Sequence, residues 1–277
     1  MKRSIILALA FVLASFGMTA LETQAQGVSP CAGKEPVRYV AGGKECLVYK
    51  AFGADAAGKD PTLVVFLNGD LFQEGGAADD MYKYAAQFAR PGVIGVAILR
   101  PAFSDREGNK STDGERSREF DSYTPRNIES VALAIDALKR RYGAKRVILV
   151  AHTAGAAYAG VILGKYPELA QGAILATCIC NIVDWRNMAR FRAWSVSLSP
   201  SDFVGGIPKT RRVIAINNTS VSPILAQVSK KYVQTLTERG IKAEYRETPD
   251  SDRDFRYVGD SKVFADALES LISETAP

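Results

Sequence analysis

Histidine is almost missing from this sequence of 277 residues: His152 is the single one. The thiols are only Cys31, Cys46, Cys178 and Cys180, so a zinc cluster would lack the further Cys or His ligands it needs, and no metal is expected. Neither a phosphate-cradling P-loop nor a dinucleotide fingerprint occurs, which leaves no sequence basis for a nucleotide cofactor, and none is expected. Repeats, heptads and low-complexity tracts are absent as well. The net charge of +5 is not gathered into the concentrated basic stripe that nucleic-acid binding requires, so no nucleic-acid partner is expected.

The one long apolar run lies at the start, from Ile5 to about Leu21, after Lys2 and Arg3. Ser15, Gly17 and Thr19 interrupt it, Glu22 follows it, and Ala20 and Ala25 are small enough for cleavage sites. That is the pattern of a secretory signal over residues 1–25 rather than of a membrane anchor. Residues 26–277 are then expected to form a single α/β domain, secreted or periplasmic, with no stable membrane anchor after cleavage. An even cysteine count in an exported chain suggests disulfides. Cys31 with Cys46 would pin the N-terminal segment to an early strand, while Cys178 and Cys180 can bridge each other or stay a dithiol.

What the chain does have is alternation. Val37–Val40 and Cys46–Ala51 read as early strands, followed by an apolar run over Thr62–Leu67 and another over Val93–Leu99. An amphipathic stretch, Asp79–Arg90, separates those two runs. After a polar loop expected to be exposed, Thr124 caps a helix with Pro125 at its first position, running to Tyr142 and stopped by Gly143. Arg146–Ala151, Gly172–Thr177, Arg212–Asn217 and Ile241–Thr248 continue the strands, with helical patterns at Ser222–Arg239 and Lys262–Glu274. Strands alternating with helices predict a doubly wound, mostly parallel sheet in three α/β/α layers. Residues 181–210 break the rhythm and are expected as a small insertion over the carboxyl ends of the strands, where open sheets place their ligand crevice.

The strand ending at Ala151 turns into a helix through Ala151-His152-Thr153-Ala154-Gly155. This spacing resembles the nucleophile elbow, G-x-S-x-G, of the α/β-hydrolase family, with Ala for the first glycine and Thr for serine. The order of elements from Thr62 to about Leu271 is similar to the dienelactone-hydrolase and prolyl-oligopeptidase-like branches. The resemblance implies a nucleophile, an acid and a histidine at set places. The nucleophile falls on Thr153, where a β-branched side chain would have to accept a left-handed backbone. The histidine position, after the last strand, holds Arg253, whose guanidinium has no lone pair to accept a proton. The acid position holds Val221; some hydrolases take the acid from the preceding strand instead, which makes Asp184, after Gly172–Thr177, a fallback. The oxyanion-hole donors fall on Ala154 and on Asp70 or Leu71, as backbone N–H groups that side-chain substitution leaves intact.

With all three triad positions changed, the expectation is an exported protein of serine-hydrolase lineage, catalytically impaired, that binds a small acyl, ester or peptide-like ligand. An active ester or peptide hydrolase using Thr153 with an unconventional base is the alternative, and a protein-interaction module without a working pocket is a third. His152 is expected to pack beside the sheet with its side chain directed away from Thr153. Lys145 and Lys165 are expected too far from Thr153 to serve as its base. Arg186, Arg190, Arg192, Lys209, Arg211 and Arg212 are expected as a solvated basic face.

Overall fold

The computed structural model describes residues 28–70, 78–117, 121–249 and 254–274. The expected signal segment, Leu71 and Arg253 lie outside the described residues. In chain order the elements are β1 (Tyr39–Gly42), β2 (Glu45–Phe52), β3 (Thr62–Leu67), α1 (Asp80–Gln87), β4 (Val93–Ile98) and α2 (Pro125–Arg141). Then come β5 (Arg146–His152), α3 (Ala154–Lys165), β6 (Gly172–Ala176), α4 (Ile182–Met188) and β7 (Arg212–Asn217). The chain closes with α5 (Pro223–Glu238), β8 (Lys242–Glu247), α6 (Phe255–Gly259) and α7 (Lys262–Glu274).

All eight strands form one sheet in the order β1-β2-β4-β3-β5-β6-β7-β8. β1 and β2 are antiparallel, and the second half of β2 pairs antiparallel to β4; β3 to β8 run parallel. The central strands are apolar along their length because helices cover both faces. Along β5 the side chains alternate: Val147, Leu149 and Ala151 meet the layer of α2, α3 and α5, while Ile148 and Val150 meet α1, α6 and α7. α3 is buried nearly all round, and its sequence accordingly has no polar stripe.

Local chemistry sets the ends as the sequence predicts. The Thr124 hydroxyl accepts the Asn127 N–H at 3.2 Å, Pro125 opens α2, and Gly143 closes it at φ +61°. Cys31 is bonded to Cys46, tying the first described turn to β2, and Cys178 is bonded to Cys180.

Two features differ from the sequence expectation. The loop between β4 and α2 is not simply exposed: Arg100, Asp105, Ser111 and Asp121 are buried in it. Each has partners that offset the cost of leaving water. The Asp121 carboxylate, for example, accepts the N–H groups of Ser195 and Ser197 at 2.9 and 3.1 Å and the Ser197 hydroxyl at 2.7 Å. This latch, with the Leu198 N–H donating to the Tyr123 carbonyl at 2.9 Å, ties residues 181–210 to the start of α2. The second difference is two short helices, α4 and α6, whose lengths are too small to show a helical period in sequence.

Candidate functional site

The ladder pairs Leu67 with Ala151, His152 with Ala176, and Ala176 with Ile216. One or two residues further on, Gly69, Thr153, Thr177 and Asn217 come out as a row at the carboxyl edge of the sheet. Two of these four, Thr153 and Thr177, have positive φ, +45° and +50°. Such backbone is strained for β-branched residues, and strain of this kind clusters at functional sites.

Thr153 forms the bend between β5 and α3 with φ +45° and ψ −110°. Its N–H donates to the Ala176 carbonyl at 2.9 Å, and its own carbonyl accepts the Ala157 N–H at 3.2 Å. Gly155 lets the bend sit where it does: a Cβ there would lie 2.6 Å from the carbonyl oxygens of both Leu67 and Asn68. The backbone of α3 is thereby pressed against the end of β3. Ala151, in place of the pattern's first glycine, is fully buried in the core.

The Thr153 hydroxyl is buried and has no hydrogen-bond partner among the described residues. It faces Gly69. A Cβ on Gly69 would lie 2.3 Å from Thr153 Oγ1 and 3.1 Å from His152 Nδ1, so the hydroxyl and the imidazole both border the space beside Gly69. The expectation that His152 turns away from Thr153 is therefore corrected. Its ring does pack on Phe255 of α6, with centroids 5.7 Å apart. However, the left-handed bend at Thr153 breaks the strand's alternation, and both side chains border Gly69. Asp254 stands just before α6, beside the Phe255 ring on which the imidazole packs. Burial alone would raise the Asp254 carboxyl, but hydrogen bonds from the Arg256 side chain and N–H outweigh it and hold the group below the usual carboxylate range.

Asp70, expected as an oxyanion-hole residue, is fixed through its side chain. Its Oδ1 accepts Arg100 Nη2 at 2.7 Å and its Oδ2 accepts the Tyr123 hydroxyl at 2.7 Å. Arg100 also donates Nε to the Asn68 carbonyl at 2.8 Å, and its backbone N–H donates to Asn68 Oδ1 at 3.0 Å. The guanidinium stacks over Phe103 and Tyr158. Burial disfavours the charged form of Arg100, yet Asp70 outweighs this and raises the guanidinium above its usual value. Burial likewise pushes the Tyr158 hydroxyl up to about 12. This buried network holds the segment 68–70 beside the bend. Sequence reasoning missed Arg100 and Tyr123; a lone arginine directly after an apolar strand was the available signal.

Ala154 begins α3 and is fully buried; as the first residue of the helix it has an N–H without an intrahelical partner. The N-terminus of α3 carries a partial positive charge suited to an anionic oxygen. Val221 lies in the turn after β7, where its N–H donates to Asn218 Oδ1 at 3.0 Å and no carboxylate stands. The last residue of β7 is Asn217, fully buried, whose amide oxygen and nitrogen have no partner among the described residues. Asp184 is engaged by Lys231 of α5 at 2.8 Å rather than held for an imidazole. Lys145 pairs with Asp60 at the opposite end of β5, and Lys165 lies over Tyr166 at the far end of α3. Arg253 and Leu71 lie outside the described residues.

Among the described residues no group of His, Cys, Asp or Glu could hold a metal ion, and no helix is long and apolar enough to cross a membrane. A cavity of 620 Å³ beside β2, lined by Tyr49, Lys50, Tyr82 and Arg141 among others, includes none of the elbow residues. The chemistry assembled at the elbow is a hydroxyl, a neighbouring imidazole and a helix N-terminus.

No family model matches the sequence, and no curated protein matches it. Solved structures do match its shape. Est1E from Butyrivibrio proteoclasticus, with ferulic acid bound, is similar at a TM-score of 0.59 and 12% identity, over 84% of this chain and 98% of that one. The Pyrococcus furiosus esterase Pf2001 gives 0.57 and 12%, over 85% and 89%. A predicted CIB-like hydrolase from Thermoplasma acidophilum gives 0.51 and 14%, over 85% and 96%. The chain has the α/β-hydrolase fold. Its structural neighbours are esterases and related hydrolases, at identities that speak for fold alone.

Proposed function

We propose that this protein is an exported member of the serine-hydrolase lineage that binds a small acyl, ester or peptide-like ligand at the Thr153 elbow and turns it over slowly at most. The observation that carries the reading is the buried Thr153 hydroxyl, without a hydrogen-bond partner among the described residues, at φ +45° and set against the N-terminus of α3. Strain and an unpaired polar group both cost stability, about 1–3 kcal/mol each, and a site that binds nothing has no use for either. Impairment is inferred from what surrounds the bend. Neither Val221 nor Asn217 offers a carboxylate after β7, Asp184 is paired elsewhere, and threonine replaces serine. Loss of a triad's serine or histidine costs on the order of 10⁶ in turnover, while hole and binding keep roughly 10³–10⁴ over water. The disulfides and the residue pattern over 1–25 support export.

Hydrolysis of p-nitrophenyl butyrate by wild type and Thr153→Ala tests the reading, together with binding of butylboronic acid, a tetrahedral mimic, by thermal shift. Expected are boronate binding that Thr153→Ala abolishes and turnover far below the usual range of about 1–10³ s⁻¹. Turnover within that range would overturn impairment. Absence of boronate binding would overturn the acyl site.

A further inference from the structure

We propose that His152, although it directly precedes Thr153, is the proton acceptor for the Thr153 hydroxyl when an acyl ligand occupies the elbow. This rests on the reading above that the elbow binds acyl groups. In the fold shared with the esterases, resemblance places the base after β8; here the only imidazole comes instead from β5.

Three observations carry the inference. Thr153 Oγ1 and His152 Nδ1 border one space, within 2.3 and 3.1 Å of where a Gly69 Cβ would be, and glycine leaves that space empty of side chain. The hydroxyl has no competing partner among the described residues, so nothing there holds it from turning toward the imidazole. Both residues are nearly buried, at 6% and 8% exposure, in a place where water competes weakly. Catalytic hydrogen bonds are often long in an empty site and tighten once ligand binds. Asp254, just before the Phe255 ring that the imidazole packs on, is an acidic neighbour of His152.

The step balances without a further reactant. The Thr153 proton passes to Nδ1 as Oγ1 bonds to the carbonyl carbon, and the carbonyl electron pair moves onto its oxygen, facing the Ala154 N–H. Collapse breaks the bond to the alcohol, whose oxygen takes the proton from the imidazolium. Water then attacks the acyl-threonine while giving a proton to Nδ1, and that proton returns to Oγ1 as the acid leaves.

The test is acylation of Thr153 by p-nitrophenyl butyrate, read by the nitrophenol burst and by mass spectrometry. It is run on wild type, Thr153→Ala, His152→Gln and His152→Ala with added imidazole. His152→Gln is expected to slow acylation by roughly 10²–10⁴. Imidazole is expected to restore acylation in His152→Ala but not in Thr153→Ala, which a merely structural role for the ring would not produce. Unchanged acylation in His152→Gln, or a folded His152→Ala that imidazole fails to rescue, overturns the proposal. His152→Asn replaces His152→Gln if the latter does not fold, with the same outcomes. Butylboronic acid binding is measured alongside. If wild type binds it and never acylates, the base assignment fails and the binding site stands; if wild type does not bind it, the site itself fails.

Discussion

Arg100 and Asp70 form an ion pair at 2.7 Å in which the arginine side chain is only 1% exposed and the aspartate 14%. A charge taken so far from water is tolerable only while its partner stays. Arg100→Met is expected to destabilise the fold by about 3–5 kcal/mol, and Asp70→Asn by a similar amount. In the double variant the losses should fall well short of their sum, because neither charge is left alone. Urea unfolding of the four proteins measures this. Additive losses would mean that the pair does not act as a unit.

Gly155 is expected to tolerate nothing larger. In Gly155→Ala the new methyl would meet two backbone carbonyls at 2.6 Å, and backbone cannot swing aside as a side chain can. The cost should be about 1–3 kcal/mol, and the displaced α3 should weaken butylboronic acid binding as well. Chemical denaturation and thermal shift read the two effects. A variant with wild-type stability would show that the first turn of α3 is not pressed against β3.

Asp121 makes acid sensitivity local. Burial would raise its carboxyl, but the Ser195 N–H and the hydroxyls of Ser197 and Ser117 outweigh burial and lower it. A group lowered in the folded state contributes stability that is fully present above its unfolded value, near pH ~3.9, and is lost as pH falls through the folded value. Wild type should therefore lose this contribution only below about pH 4. Asp121→Asn should melt roughly 5–10 °C lower at pH 7, with the difference narrowing in acid. A gap between the two melting curves that does not change from pH 7 to pH 3 would contradict the assignment.

The central parallel strands were legible because burial on both faces leaves a continuous apolar run, as in Thr62–Leu67 and Arg212–Asn217, whose bounds agree with β3 and β7. α2 was legible from Thr124, Pro125 and Gly143, three residues with separate local reasons to stand there. Thr153 was legible as the apex because a strand-to-helix bend has its own spacing. Arg100 was not, since nothing in its neighbourhood in sequence says that Asp70, thirty positions earlier, will meet it. The direction of His152 was misjudged for a related reason. Alternation along a strand holds while the backbone stays extended, and it fails at the residue where φ changes sign.

The bond between Cys31 and Cys46 closes a covalent loop around the first hairpin strand. A protease that clips the chain anywhere inside that loop leaves both pieces joined, and β1 need not drift from its place. The damage would show as two fragments only after a reductant is added, so this end of the molecule can be nicked without coming apart.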